Sequence, residues 1–159
     1  MKNKKFSHTT SSGQPQMVDV SDKNVTKRMA RACATIRLGK EIMKLIHQEE
    51  LTTKKGPVFQ TAIIAGVMAA KKTHELIPLC HPLALEDCQL KISTKGDLAM
   101  VTAEVTVTSK TGVEMEALVA ASVAALTIYD MCKALSHDIV INEVKLLEKL
   151  GGKSHFKRD

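Results

Sequence analysis

The chain has 159 residues and a formal charge of +6, the length of one domain, which leaves no room for two independent catalytic domains. Hydrophobic residues make up 44% and charged residues 25%, a balance that excludes a wholly disordered chain, and no uncharged run approaches the ~20 residues of a membrane span. Aromatics are only 3%, with no Trp, so the core must be built from Ala, Val, Ile, Leu and eight Met.

A polar stretch over residues 1–16, rich in Lys, Ser and Thr, cannot bury apolar surface and reads as a flexible leader. The folded domain is expected over 17–150, followed by a basic tail at 151–159. Between Arg28 and Leu38, Ala30, Ala32, Ala34, Ile36 and Leu38 alternate with more polar neighbours, the period of a strand. Past Gly39, Ile42, Leu45, Ile46 and Glu49 follow the spacing of a short amphipathic helix, and residues 51–56 read as a basic loop. Pro57 suits a first helical turn, so a second helix is expected over Val58–Lys72. Pro78 and Pro82 should hold Ile77–Leu83 extended.

Cys88, Leu90 and Ile92, then Ala99 to Val107, alternate on either side of Lys95-Gly96-Asp97, the pattern of a hairpin. After Gly112 a helix runs to about Leu135, uncharged from Ala117 to Tyr129, and Ile139–Val144 reads as the last strand. The order β, α, α, β, β, α, β fits an α+β fold, a ferredoxin-like two-layer sandwich with an antiparallel sheet and an extra helix. One side of such a helix should face water. An apolar surface nearly all round therefore predicts that another subunit covers it.

Charge and cysteine usage narrow the function classes. With leader and tail removed, the body holds 17 basic and 16 acidic residues, and Phe59 and Tyr129 are its only aromatics, so a nucleic-acid partner is not expected. Cys33, Cys80, Cys88 and Cys132 have no Cys-x-x-Cys spacing, and no apolar signal core follows the N-terminal lysines. A cytoplasmic protein with reduced thiols, no resident metal and no membrane partner is expected.

Asp130 and Lys133 share a helix face at a spacing of three. At a surface this is an ordinary ion pair, but buried by a subunit it becomes a candidate acid/base pair. Cys80 and His81 are neighbours in a proline-bounded segment and point opposite ways if extended, so a mutual thiolate–imidazolium pair is disfavoured. Lys54, Lys55 and Gly56 precede a helix N-terminus, where an anion could dock, and Gly151-Gly152-Lys153-Ser154 is a weaker phosphate-friendly segment. Glu114 and Glu116 open the long helix, where acids also serve as dipole partners.

Three segments carry more information: Met17-Val18-Asp19-Val20-Ser21; Ile77 through Leu83, reading Ile-Pro-Leu-Cys-His-Pro-Leu; and Thr111 through Lys133. They closely resemble the cyclic pyranopterin monophosphate synthases, the second enzymes of molybdenum-cofactor biosynthesis, and the likeness runs from about Met17 to Ser154. The resemblance implies a lyase that converts a 3′,8-cyclised dihydroguanosine triphosphate into cyclic pyranopterin monophosphate and releases pyrophosphate. It implies Asp130 as catalytic acid/base assisted by Lys133 and Lys55, with Leu79, Cys80, His81, Met115 and Glu116 binding substrate. It further implies a homohexamer, a trimer of dimers, with no cofactor beyond magnesium carried by the triphosphate. The chain departs from the family at Pro57, where many relatives carry an acid, at Ile63, where many carry a base, and at His155.

Helix geometry adds an independent constraint. Met115 and Asp130 are fifteen residues apart on one helix, about 22 Å at 1.5 Å per residue, too far for one nucleotide to touch both easily. A site completed by a second subunit is therefore expected. Two other readings stay open at this stage: a noncatalytic nucleotide- or RNA-binding module of the same fold, and a thiol hydrolase acting through Cys80.

Overall fold

The computed structural model describes residues 12–158; most of the expected leader lies outside the described residues. The chain runs β1 (Thr26–Arg37), α1 (Lys40–Met43), β2 (Ile46–His47), β3 (Glu50–Thr53), β4 (Gly56–Pro57), α2 (Val58–Ala70), α3 (Thr73–Leu76), β5 (Asp87–Lys95), β6 (Leu98–Ser109), α4 (Glu114–Cys132), β7 (Val140–Leu150) and β8 (Phe156–Lys157). The main sheet has the order β5-β6-β1-β7-β8, and every pairing in it is antiparallel. Without the short edge strand β8, this is the strand order of a ferredoxin-like sandwich, with α2 and α4 packed on one face.

Alternation decides which face is covered. Ala30, Ala32, Ala34 and Ile36 of β1 stand opposite Val105, Ala103, Val101 and Ala99 of β6, and all eight are buried. Small residues alternate with branched ones along β6, and Ala117, Ala120, Ala121, Ala124 and Ala125 of α4 are fully buried where that helix packs against the sheet and α2. By length and composition α4 could cross a bilayer. In this fold it is the core helix, packed against β1, β6, β7 and α2. Much of the cover its apolar surface demands thus comes from α2 of the same chain, while Ile64, Met68 and Leu126 remain more than half exposed.

Gly66 sets how closely the two helices approach. A Cβ there would lie 2.4 Å from the Leu90 side chain and 2.9 Å from the Ala120 carbonyl oxygen. The leucine tip can move cheaply, but the carbonyl belongs to α4 itself. Gly66→Ala gains about 1 kcal/mol of helix propensity and meets an overpacking cost of about 1–3 kcal/mol. The expected result is net destabilisation, read as a lower urea midpoint at unchanged slope; an equal or higher midpoint would show that the α2–α4 contact has slack.

The structure departs from the sequence pattern in four places. The helix expected over 42–49 stops at Met43, because Gln48 and Glu49 both have positive φ and form a two-residue turn joining β2 to β3. Asn-Gly normally marks such a turn, and here Gln-Glu carries it. The basic loop of 51–56 is instead a second tight hairpin, with Thr53 paired to Gly56 and Lys54-Lys55 at its tip. The expected extended segment is preceded by the one-turn helix α3, and the Cys80 N–H donates to the Ile77 carbonyl, so Pro78 sits in a turn. The last strand runs to Leu150, because two irregularities in its register with β1 absorb its broken alternation.

Candidate active site

Two separate clusters of chemistry lie near the two ends of α4. At its N-terminal end a cavity of about 490 Å³ is walled by Val18 and Val20 before β1, by Leu79, Cys80 and His81 after α3, and by Thr111, Gly112 and Glu114 to Glu116. The first wall is pinned in place: Asp19 accepts from the Ser21 N–H and hydroxyl, and the Lys110 ammonium donates to the Ser21 carbonyl. Gly112 has no side chain where one would overlap the Glu114 carboxylate, and Glu114 is in turn paired with Lys149 at 3.0 Å. Met115 and Glu116, both expected as binding residues, line this cavity together with Leu79, Cys80 and His81.

Glu116 is the unusual group. Its side chain is 4% exposed, and burial pushes its carboxyl up to about 7, with Glu114 adding to the rise and a hydrogen bond from its own backbone opposing it. Beside it, the Thr111 hydroxyl is buried without a hydrogen-bond partner, a cost that a polar ligand in the cavity would relieve. Burial, and then the Glu116 carboxylate, push the Cys80 thiol up as well. Since the thiolate is the nucleophile, this disfavours the thiol-hydrolase reading.

The raised Glu116 pKa makes stability fall with rising pH. The native state holds a proton that the unfolded chain has already released between the ordinary value of 4.5 and about 7. Across that window Glu116 removes on the order of 3 kcal/mol, and the loss is complete above pH 7. Glu116→Gln should therefore be the more stable protein at pH 8 and nearly equal to wild type at pH 4.5. Denaturant titrations at both values test this, and a pH-independent difference would rule out a buried proton.

Four cations face the same cavity: Lys23, Arg28, Lys110 and Lys153. Arg28 is steadied by donating to the Ser109 carbonyl, and Lys153 arrives through the glycine pair before it. Gly151 has φ +84°, and a Cβ on it would sit 1.9 Å from the Lys27 carbonyl oxygen, so only glycine lets the tail lie against the start of β1. In the sequence Lys153 carries only a weak signal, and Lys23, Arg28, Lys110 and Thr111 carry no local signal as site residues. Arg28 and Lys110 lie near one end of the β1–β6 ladder, where Thr26 pairs with Ser109, a proximity that no local spacing announces.

The second cluster, at the C-terminal end of α4, brings together the three expected catalytic residues. Asp130 Oδ1 is 2.7 Å from the Lys133 ammonium, and Oδ2 is 2.7 Å from that of Lys55, which also donates to the Asp130 carbonyl. The triad is about half exposed. Hydrogen bonds from Lys133 and then Lys55 bring the Asp130 carboxyl down to about 2, and Asp130 in turn raises Lys133. The shift expected from burial is thus replaced, in the single chain, by one from direct pairing. The start of α2, where an anion could dock, is already occupied: the Glu50 carboxylate accepts from the Phe59 and Gln60 N–H groups there.

Residues 17–152 match the MoaC family. The chain belongs to the MoaC family. It is also 46% identical over 172 aligned residues, 97% of this chain, to a protein of Dictyostelium discoideum named "Molybdenum cofactor biosynthesis protein 1". This MoaC-family chain spans 27% of that relative's length. The matched region contains the Asp130 triad and all of the cavity lining except Lys153. Among the described residues, no group of three or more His, Cys, Asp or Glu is arranged to hold a metal ion.

The two clusters offer complementary chemistry. The MoaC-family cavity supplies a buried carboxyl that can exchange a proton near neutrality, an unpaired hydroxyl and several cations, a set suited to a polar heterocycle carrying phosphates. The triad supplies two ammonium groups held by one carboxylate. They lie about 22 Å apart along α4, counted from Met115 to Asp130.

Proposed function

We propose that this chain acts in molybdenum-cofactor biosynthesis as a phosphorus–oxygen lyase, converting (8S)-3′,8-cyclo-7,8-dihydroguanosine 5′-triphosphate into cyclic pyranopterin monophosphate and pyrophosphate. The observation that carries the reading is the triad, two lysine ammonium groups held 2.7 Å from one carboxylate, in a chain of this family. The chemistry needs two things. Rearranging the nitrogen heterocycle requires protons delivered and removed at ring atoms. Closing the cyclic phosphate requires a substrate hydroxyl to attack phosphorus, losing its proton to a base, while the bond to pyrophosphate breaks and cations meet the departing charge.

The electrostatics favour a division of labour within the triad. A carboxyl held near 2 is ionised at any neutral pH and is a weak base. Asp130 therefore holds Lys55 and Lys133 in place, and the ammonium groups donate protons and stabilise anions. In the cavity, Glu116, His81, Cys80, Leu79 and Met115 hold the base and sugar, and Lys23, Arg28, Lys110 and Lys153 the phosphates. Magnesium, where it takes part, travels with the triphosphate, and no resident cofactor is invoked.

One substrate reaches both clusters if the cavity of one protomer faces the triad of another. We therefore propose a homohexamer, a trimer of dimers, with sites shared between subunits, acting in the cytoplasm without a nucleic-acid or membrane partner. The decisive assay is pyrophosphate release from the cyclised triphosphate by the unmodified protein. Release at enzymatic rates is expected, and a folded protein that binds the nucleotide without turning it over would be a binding module.

A further inference from the structure

The start of α2 has no capping side chain of its own. Pro57 occupies the N-cap position and its side chain has no hydrogen-bonding group, so the first N–H groups of the helix need an acceptor from elsewhere. Glu50 supplies it. Its Oε2 accepts from the Gln60 N–H at 3.0 Å, and its Oε1 accepts from both the Phe59 and Leu51 N–H groups at 2.8 Å. Both carboxylate oxygens are thus committed, and the negative charge sits where the helix dipole favours it.

The consequence lies just before the helix, at the tip of a hairpin. Glu50 is the first residue of β3, and β3 pairs with β4 through Thr52–Pro57 and Thr53–Gly56. That two-rung hairpin carries Lys54 and Lys55 at its end. At its base it is tied to α2 by Glu50, with Leu51, Val58 and Phe59 buried beneath it. At its tip it is tied to α4 by the bonds from Lys55 to Asp130. The packing of α2 on α4 then makes the reach of Lys55 to Asp130 depend on how firmly the hairpin base is held.

We infer that Glu50 is the positioning residue of the triad: by clamping the β3–β4 hairpin to the first turn of α2, it sets the Lys55 ammonium against Asp130. The inference rests on the reading of Lys55 and Asp130 as the reacting cluster. Glu50 touches no substrate in this role and acts through Lys55.

The test uses Glu50→Ala in the full chain, with Glu50→Gln as the milder variant should the first not fold. Glu50→Ala should lower kcat for pyrophosphate release by about ten- to a hundredfold, the cost of a misplaced group, with KM within about threefold of wild type. In a Lys55→Ala background the same change should cost almost nothing more, because both substitutions remove one contribution. Independently of turnover, the Asp130 carboxyl, followed by ¹³C NMR titration, should rise from about 2 as Lys55 leaves it. An unmoved Asp130 titration, or kcat losses that multiply in the double variant, overturns the inference. If the unmodified protein releases no pyrophosphate, the proposed function fails and the titration alone decides the role of Glu50.

Discussion

Under the proposed function, Lys133→Arg and Asp130→Asn should each slow pyrophosphate release by about two to four orders of magnitude, the usual worth of a positioned proton donor, and leave the folded state almost unaffected. Stability is spared because the Asp130 and Lys133 side chains are each 53% exposed, and ion pairs in water contribute little to folding. The two substitutions isolate different requirements. Arginine keeps the positive charge beside Asp130 but does not give up a proton near neutral pH, so Lys133→Arg preserves nucleotide affinity and loses rate. Asp130→Asn removes the charge that raises Lys133 and one of the two carboxylate oxygens the lysines share, while Lys55 keeps its bond to the Asp130 backbone carbonyl. Both lysines are then held less firmly, and affinity should weaken along with rate. Steady-state kinetics paired with calorimetric nucleotide binding distinguishes these patterns. A Lys133→Arg protein turning over at the wild-type rate would reduce Lys133 to a point charge.

Chains carrying Asp130→Ala and chains carrying His81→Ala should each be inactive alone and recover activity when mixed. The reason is the length of α4: His81 lines the cavity with Met115 near one end, and Asp130 lies about 22 Å from Met115 at the other. If a site joins the cavity of one protomer to the triad of its partner, a mixed pair rebuilds one intact site out of two. Random reassembly in equal amounts then gives about a quarter of wild-type activity. The readout is pyrophosphate release after the two proteins have been dissociated and reassembled together. No recovery, with mixed oligomers demonstrated by mass, would place both clusters of a working site in one chain and require a large rearrangement.

The elements easiest to read in the sequence are those whose apolar period matches a single face. β1 and the β5–β6 hairpin alternate cleanly because only one side of the sheet is covered by helices, and the Gly96-Asp97 turn between Lys95 and Leu98 is explicit. The β2–β3–β4 meander is illegible for a physical reason. Its strands are two to four residues long, too short for a period to emerge, and its first turn places positive φ on Gln48 and Glu49 without the glycine that usually signals it. β7 is longer than its sequence pattern suggests because its irregular register with β1 breaks the alternation that marks a strand.

The site divides along the same line. Asp130 and Lys133 are one helical turn apart, so their pairing follows from local geometry, and the motif around Cys80 and His81 identifies itself by resemblance. Lys55 meets Asp130 across 75 residues of sequence, and Lys23, Arg28, Lys110 and Lys153 converge from three separate segments. By itself, the sequence determined the alternating strands, the apolar helix, the family likeness and the residues able to carry the chemistry. Tertiary structure alone decided that Glu116 is the carboxyl poised near neutrality while Asp130 is held fully ionised. Residue type is written in the chain, but desolvation and ion pairing depend on which distant segments surround a group after folding.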